Sequence, residues 1–372
     1  MRRINKYIYQ LPDWPDFHWR ERELSAKLVE VHLRQGHLIG RMESLGFSQR
    51  DEAVLKTLTD DVVKSSEIEG EVLNPHQVRS SIARRLGMDI AGLLPSDRLV
   101  DGVVQMTLEA IQNFARPLTR ERLFSWHAAL FPDTQSKIKV GIFRDDTKGP
   151  MQVVSGQIGH ERVHYEAPAA KHLESELAVF LDLVNKTSDL DQVLRAAMAH
   201  LWFVTIHPFD DGNGRIARAI ADWALARSEN SARRYYSMSA QIRRERKEYY
   251  DILEQTQKGT LDITDWMRWF LECLDRAIVG TEGSLAMIFK KDGFWKTYAH
   301  LALNERQRLI LNKLLDGFFE GKLTSSKWAK LGKCSQDTAH RDIVELVGYG
   351  ILVKDSAGGR STGYSLKELA TD

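Results

Sequence analysis

The chain has 372 residues, of which 43% are hydrophobic and 28% are charged, and its formal net charge is +1. This is the composition of an ordinary globular protein, and the length suits two or three domains of roughly 100–200 residues each. The near-zero charge argues against a dominant electrostatic attraction to nucleic acid or to an anionic membrane.

Two cysteines, Cys273 and Cys334, are too few for a disulfide framework or a cysteine-based zinc site, and they suit a reducing compartment. The basic start Met1-Arg2-Arg3 is not followed by an apolar core, which argues against a secretory signal. The most apolar run, residues 196–209, is too short to cross a bilayer. We therefore expect a cytoplasmic protein without a membrane partner.

The N-terminal part begins with an aromatic segment, residues 1–19, in which Pro12 and Pro15 predict an extended chain rather than a helix. Residues 20–46 have the apolar spacing of one long amphipathic helix. A second helix carries Val54, Leu58 and Val62, and it runs into residues 65–70, Ser-Ser-Glu-Ile-Glu-Gly.

The middle of the chain is also mainly helical, with one exception. The glycine-rich stretch 139–168 predicts a loop and a β-hairpin with strands at 151–155 and 162–165. The predicted helices lie at 98–131 with a break at Pro117, and at 170–185, 189–205, 214–228, 239–257 and 262–280. The fold class is therefore mainly α.

After residue 293 the pattern changes to that of a winged helix-turn-helix. One helix carries Leu309, Leu314 and Phe318, Thr324-Ser325 caps a second, and Ser335 caps a third. Two short strands, 351–353 and 364–366, flank the glycine-rich residues 358–363 as strands flank a wing. We place domain boundaries at 1–97, 98–280 and 294–372, with a linker at 281–293.

The most informative stretch is residues 207–215, His-Pro-Phe-Asp-Asp-Gly-Asn-Gly-Arg, followed by Arg218. An apolar helix ends at Pro208 and a new one begins near Gly214, so the stretch is a tight connection at a helix N-terminus. Backbone N–H groups and the helix dipole favour an anion there, and two arginines three residues apart can both reach a phosphate chain. A lone histidine beside a proline is usually structural, and two arginines at this spacing usually lie on a solvated helix face. Together with the two aspartates and the Gly-Asn-Gly turn, these residues indicate a functional site far more specifically.

Residues 207–218 resemble the signature of the Fic (Fido) family, His-Pro-Phe-x-(Asp/Glu)-Gly-Asn-Gly-Arg-x-x-Arg, at every defining position. The segment 237–250, with Tyr249-Tyr250, also resembles the one that follows this signature in the family. The aromatic N-terminal segment and the winged helix are similar to accessory parts of bacterial members. The resemblance implies a Fic-type helical core with a β-hairpin flap.

The resemblance implies an enzyme that transfers AMP from ATP to a Ser, Thr or Tyr hydroxyl of a target protein, and self-modification is open. His207 is then the general base. Phe209 anchors the loop in the core, and Asp210, at the variable position, is a solvated neighbour with a weak metal role left open. The ATP contacts implied are Gly212, Asn213, Gly214, Arg215, Arg218 and Tyr250, and Asp211 holds the Mg²⁺.

Two elements outside residues 207–218 also resemble parts of the family. Residues 65–70 resemble the family's inhibitory motif (Ser/Thr)-x-x-x-Glu-(Gly/Asn), with Ser65 and Glu69 at the defining positions, so Glu69 is expected to pair with Arg218. Glu67 competes for that role but does not match the motif. The hairpin resembles the flap that covers this site, and an extended target segment could pair with it. Its docking residues are Met151, Gln152, Val153 and Val154.

Two alternative functions stay open. The same site could run in reverse and remove AMP, with Glu69 positioning a water molecule. A DNA-binding regulator is the other alternative, with Gln336, Thr338, His340 and Arg341 facing a groove and Arg360 on the wing. Residues 294–372 contain only a modest excess of basic side chains, so protein contacts or homodimer packing are equally open.

Overall fold

The structure, a computed structural model, describes residues 6–90, 92–132, 138–156, 160, 162–186, 189–315, 322–355 and 362–367. The chain divides into two compact units, Met1–Glu282 and Gly283–Asp372. Both are mainly helical, as the sequence predicted. No helix among the described residues combines the length and apolarity that a membrane span requires.

The first unit begins with a short 3-10 turn at Ile8–Gln10 rather than a fully extended segment. Its helices and strands are α1 (Glu21–Glu43), α2 (Phe47–Ile68), α3 (Pro75–Arg85), α4 (Arg98–Gln112), α5 (Arg120–Leu130), β1 (Gln152–Ser155), β2 (Arg162–Glu166), α6 (Leu173–Asn185), α7 (Gln192–Ile206), α8 (Asn213–Glu229), α9 (Met238–Arg244), α10 (Arg246–Gln257) and the first part of α11 (Thr264–Thr297), which continues beyond Glu282.

The centre of this unit is the packing of α7 against α8. Every residue of α7 from Val193 to Ile206 is buried, which confirms the predicted core helix. Trp202 and Phe203 on α7 and Trp223 on α8 are all fully buried. Burial of one such side chain contributes about 1.5–3 kcal/mol, so the loop between these two helices is supported by a well-packed core.

The helices differ from the sequence predictions in three places. The predicted linker 281–293 is helical and lies inside α11, because glycine costs only about 1 kcal/mol in a helix and Leu285 and Ile288 are buried there. The predicted helix 239–257 is two helices that meet at Glu245. Helix α3 was not predicted, although Asn74 caps it and Pro75 begins it, which is a recognisable start signal.

The second unit contains α12 (Glu305–Leu315), α13 (Ser325–Leu331), α14 (Gln336–Gly348) and a two-stranded antiparallel sheet of β3 (Leu352–Lys354) and β4 (Tyr364–Leu366). Thr324 and Ser335 cap α13 and α14 as predicted. Trp328 is fully buried, and its indole N–H donates to Asp342, which also accepts two bonds from Arg306.

The order of these elements is the one expected for a winged helix-turn-helix. Gln336, His340 and Arg341 are exposed on α14 and Thr338 is half-buried, so DNA or protein contact through this helix stays a prediction. Phe318, Arg360 and residues 358–361 of the predicted wing lie outside the described residues.

Candidate active site

The loop between α7 and α8 turns sharply at two positions. His207 ends α7 with a positive φ of 52°, which costs a non-glycine residue about 1–2 kcal/mol. Gly212 precedes α8 with a φ of 80°, and a Cβ there would come within 3.1 Å of Leu130 and 3.0 Å of Phe131. The positive φ therefore favours glycine at 212, and a side chain there would also press on Leu130 and Phe131. Helix α8 begins at Asn213, as the motif predicted to within one residue.

The side chain of Asn213 holds this loop in place. Its Oδ1 accepts from the Phe209 backbone N–H at 3.0 Å, and its Nδ2 donates to the Phe209 carbonyl at 2.8 Å. Asn213 is buried. Its side-chain amide is thus used inside the protein, and only its backbone N–H is left for the anion-binding role that the sequence predicted.

His127 is a second support for the loop that the sequence did not predict. Its Nδ1 accepts from the Gly141 N–H at 2.9 Å, so Nε2 carries the proton and donates to the Asp211 carbonyl at 3.2 Å. The ring stacks on Phe209 with centroids 4.2 Å apart, which agrees with the predicted anchoring role of Phe209. Burial lowers the pKa of His127 to about 4, so the ring stays neutral at pH 7.

Arg144 is a third support and was also missed, because no sequence pattern distinguishes a buried arginine from a surface one. Its Nε donates to the His207 carbonyl at 2.7 Å and its backbone N–H to the Pro208 carbonyl at 3.0 Å. Its other nitrogens bond the Pro168 carbonyl at 2.5 Å and Asp146 at 2.9 Å. Two of these four bonds hold the start of the loop, and the other two hold the Arg144 side chain in position.

His207 itself has the geometry of a base. Its Nδ1 lies 3.1 Å from the Val204 carbonyl, which can only accept, so the neutral ring carries its proton on Nδ1 and leaves Nε2 as an acceptor. Burial lowers the pKa of His207 to about 4, the charge of Arg144 acts in the same direction, and the bond to Val204 opposes it. The ring is therefore unprotonated at neutral pH and borders a cavity of about 850 Å³.

Arg218, on α8, is buried, and it is bound by the segment 65–70 that resembles the inhibitory motif. Its Nε and Nη2 donate to the hydroxyl and the carbonyl of Ser65, both at 2.9 Å, and Nη2 lies 2.8 Å from Glu69 Oε1. The expected Glu69–Arg218 contact is thus present in the structure. A Cβ on Gly214 would come within 2.2 Å of the same Glu69 oxygen, so glycine at 214 lets Glu69 approach the start of α8.

Arg215 is also buried, with its guanidinium 5.2 Å from the centre of the Phe131 ring and its Nη1 donating to Glu71 Oε2 at 2.6 Å. Among the described residues, Arg215 Nε and Arg218 Nη1 have no hydrogen-bond partner although both are buried. Unsatisfied buried donors are costly, which makes an anion a natural partner for them.

Helix α10 closes another side of the cavity. Tyr250 borders it, under the guanidinium of Arg246 at 5.0 Å, and Arg246 Nε also donates to the Ile68 carbonyl at 2.8 Å. This bond holds the end of α2, and with it Glu69. Tyr249 is buried and bonds His200 at 2.9 Å.

The predicted hairpin is present and forms the outer wall of the cavity. Strand β1 pairs with β2 in antiparallel fashion, with an irregularity between Val153 and Val154. Met151, Gln152, Val153 and Val154 all border the cavity. Among the described residues, β1 has no second strand neighbour, so its other edge offers free backbone groups to an extended segment.

Asp211 and Asp210 both border the cavity but differ in their contacts. Asp211 is exposed, and one of its carboxylate oxygens accepts the Gly212 N–H at 2.6 Å. Asp210 accepts from the Lys139 backbone N–H at 2.9 Å. No group of three or more acidic, histidine or cysteine residues forms a metal cage in the described part of the chain. A single exposed carboxylate fits a Mg²⁺ ion whose other ligands are phosphate oxygens and water.

Comparison with known families agrees with this geometry. Residues 117–225 match the Fic/DOC family, and residues 7–88 match a domain of unknown function, DUF4172. A protein adenylyltransferase Fic from Nematostella vectensis is 35% identical over 113 residues, covering 30% of this chain and 25% of that protein. A uridine 5'-monophosphate transferase from Xanthomonas campestris is 30% identical over 120 residues, covering 30% of this chain and 21% of that protein. The matched region thus spans about a quarter of these relatives.

Two solved structures share the fold. A Fic family protein from Desulfovibrio desulfuricans aligns with a TM-score of 0.54 and 20% identity over 93% of this chain and 97% of that one. A Fic domain-containing protein from Bacteroides thetaiotaomicron aligns with a TM-score of 0.52 and 20% identity over 69% of this chain and 97% of that one. The loop, its supports and the family match agree, and residues 117–225 of this chain form a region that matches the Fic/DOC family.

Proposed function

We propose that this protein transfers the AMP part of ATP to a hydroxyl side chain of a target protein, and that Glu69 restrains the reaction. The observation that carries the proposal is the position of His207. A neutral imidazole with a free Nε2 borders a cavity whose wall includes the N-terminal residues of α8, and two buried arginines with unsatisfied donors lie on the same helix.

The reaction is a single displacement at phosphorus. The target hydroxyl oxygen attacks the α-phosphorus, and its proton passes to Nε2 of His207. A new P–O bond forms while the bond from the α-phosphorus to the bridging oxygen breaks, and pyrophosphate leaves. His207 is unprotonated at neutral pH, so it accepts the proton without prior activation.

The remaining site residues position the phosphates. The backbone N–H groups of Gly212, Asn213 and Gly214 lie at the start of α8, where unpaired amides and the helix dipole stabilise negative charge. Arg215 and Arg218 bind the β- and γ-phosphates in the active state. Asp211 would hold Mg²⁺, which supplies positive charge beside the phosphates. Residues 151–154 of the flap hold the target segment along β1.

Glu69 restrains the enzyme because its carboxylate takes the place of the γ-phosphate on Arg218. The 2.8 Å contact is charge-assisted and the arginine is buried, so a nucleotide has to displace it to align its α-phosphate. Glu69 also borders the cavity together with His207. The same arrangement would allow Glu69 to position a water molecule for removal of AMP, which is the second candidate function.

The test is labelling of a cell lysate with ATP that carries its label on the α-phosphate. We expect Glu69→Gly to label proteins, itself included, on the order of 10–100-fold more than the wild type, the gain that loss of a charge-assisted bond predicts. Arg218→Ala or His207→Ala in the same background should abolish the gain. Glu67→Gln is the matched control, because Glu67 pairs with Lys64 and Arg243 and not with the motif arginines.

Four outcomes would contradict parts of the proposal. Equal labelling by the wild type and Glu69→Gly removes the inhibitory role, and undiminished labelling by the His207→Ala variant removes the base. Stronger labelling from α-labelled UTP than from ATP would make the protein a UMP transferase, the activity named for one of its relatives. Loss of label from a pre-modified protein that depends on Glu69 would favour the reverse reaction.

A further inference from the structure

The turn after α2 carries a second carboxylate that the inhibitory motif does not include. Glu69 ends α2, Gly70 reverses the chain with a φ of 87°, and Glu71 follows. The backbone N–H groups of Glu69 and Glu71 both donate to the Ser66 carbonyl, at 3.1 and 3.0 Å. This tight turn brings the two carboxylates to the same side of the protein.

Each carboxylate of the turn meets one arginine of the motif. Glu69 Oε1 lies 2.8 Å from Arg218 Nη2, and Glu71 Oε2 lies 2.6 Å from Arg215 Nη1. The arginine side chains are only 3% and 1% exposed, whereas the two glutamate side chains are 29% and 34% exposed. The positive partners are fixed inside the protein, and the negative partners lie at its edge, where they can leave.

We propose that Glu71 is a second inhibitory residue, which occupies Arg215 as Glu69 occupies Arg218. The turn Glu69-Gly70-Glu71 then substitutes two carboxylates for two phosphates of the nucleotide. This inference rests on the proposed function, because it assumes that both arginines bind phosphates in the active state. It follows that removal of Glu69 alone frees only one of the two arginines.

A competing interpretation gives Glu71 the opposite effect. If Glu71 holds Arg215 in the orientation that a phosphate needs, its removal weakens nucleotide binding. Removal of Glu71 tightens nucleotide binding in the first interpretation and weakens it in the second, so a binding measurement separates them. Arg215 also packs on Phe131, and that contact keeps its side chain in place when Glu71 is removed.

The experiment measures binding of ATP and of inorganic pyrophosphate by calorimetry, using the full-length chain with His207→Ala to prevent turnover. The variants are Glu69→Gln, Glu71→Gln and the double variant, with Glu67→Gln as the control. We expect both ligands to bind the double variant on the order of tenfold more tightly than Glu69→Gln, because a second charge-assisted bond no longer competes. The control should bind as the parent does.

Equal or weaker binding by the double variant than by Glu69→Gln overturns the inference and leaves the proposed function intact. Absence of ATP binding in every variant overturns the proposed function and this inference with it. Thermal unfolding confirms that each variant is folded, and Glu71→Ala removes the same carboxylate if Glu71→Gln fails to fold. A gain seen with both substitutions at Glu71 supports the inhibitory role.

Discussion

At the scale of single residues, some positions of the motif are candidates for the chemistry, and others hold the loop in place. Asn213 lies in the middle of the proposed anion site, yet its side chain bonds the Phe209 backbone in both directions. His127 and Arg144 lie outside the motif and hold it through bonds to the backbone carbonyls of Asp211 and His207. The left-handed backbone of His207 is kept by these contacts, since a conformation that costs free energy persists only where its surroundings fix it.

The pH dependence of transfer tests the environment of His207. Its pKa is lowered to about 4 in the folded protein, so the base is ready at pH 7 and is lost only as the pH falls through about 4. We expect kcat/KM of the Glu69→Gly variant to show no histidine-dependent loss between pH 7 and pH 5.5. ATP binding to the Glu69→Gly/His207→Ala variant over the same range corrects for titration of the nucleotide. A corrected acid limb near pH 6.5 would mean that the ring is solvated.

At the scale of elements, side chains of β2 attach the flap to α10. Glu254 on α10 accepts bonds from Arg162 at 3.1 Å and from His164 at 2.6 Å, both on β2, and from Lys258 at 2.6 Å. The pKa of Glu254 is held to about 2, because the hydrogen bonds from Lys258, His164 and Arg162 outweigh the effect of burial, so it is ionised at every working pH. None of these three bonds involves β1, and docking of a target segment along that strand stays a prediction.

Removal of this attachment should loosen the flap. We expect Glu254→Ala to raise KM for a protein target on the order of tenfold, since bonds to a charged group contribute about 1.5–3 kcal/mol, while kcat changes little. Glu248→Ala, an exposed glutamate of the same helix, serves as the control. Steady-state kinetics in the Glu69→Gly background give the two constants separately. A fall in kcat with an unchanged KM would show that Glu254 acts on the chemistry and not on docking.

At the scale of the whole molecule, every residue that borders the cavity precedes residue 258, within the unit Met1–Glu282. Catalysis should therefore be separable from the second unit.

We expect a chain ending at residue 282 to fold and to bind ATP with the affinity of the full-length protein. Calorimetric titration with ATP, size-exclusion chromatography and thermal unfolding of both chains check this. A folded 1–282 chain that does not bind ATP would show that the second unit contributes to the site.

The sequence by itself determined the parts of this protein that depend on local chemistry. Residues 207–218 gave the loop, the start of α8 and the candidate base, because proline, glycine and paired arginines have strong local meanings. The cap residues Thr324 and Ser335 and the hairpin strands followed from similar signals. The family match confirms the Fic assignment, and roles for individual residues stay predictions.

Only the tertiary structure decided which distant residues meet. His127, Arg144 and Glu254 have no local pattern, since their importance lies in partners 63 to 90 residues away. The continuity of α11 through residues 281–293 likewise depended on burial of Leu285 and Ile288, which outweighs the helix cost of its glycines. The pairing of Glu71 with Arg215 was also decided by the tertiary structure alone. A carboxylate two residues after Glu69, just outside the motif 65–70, looks like surface charge until the fold places a buried arginine beside it.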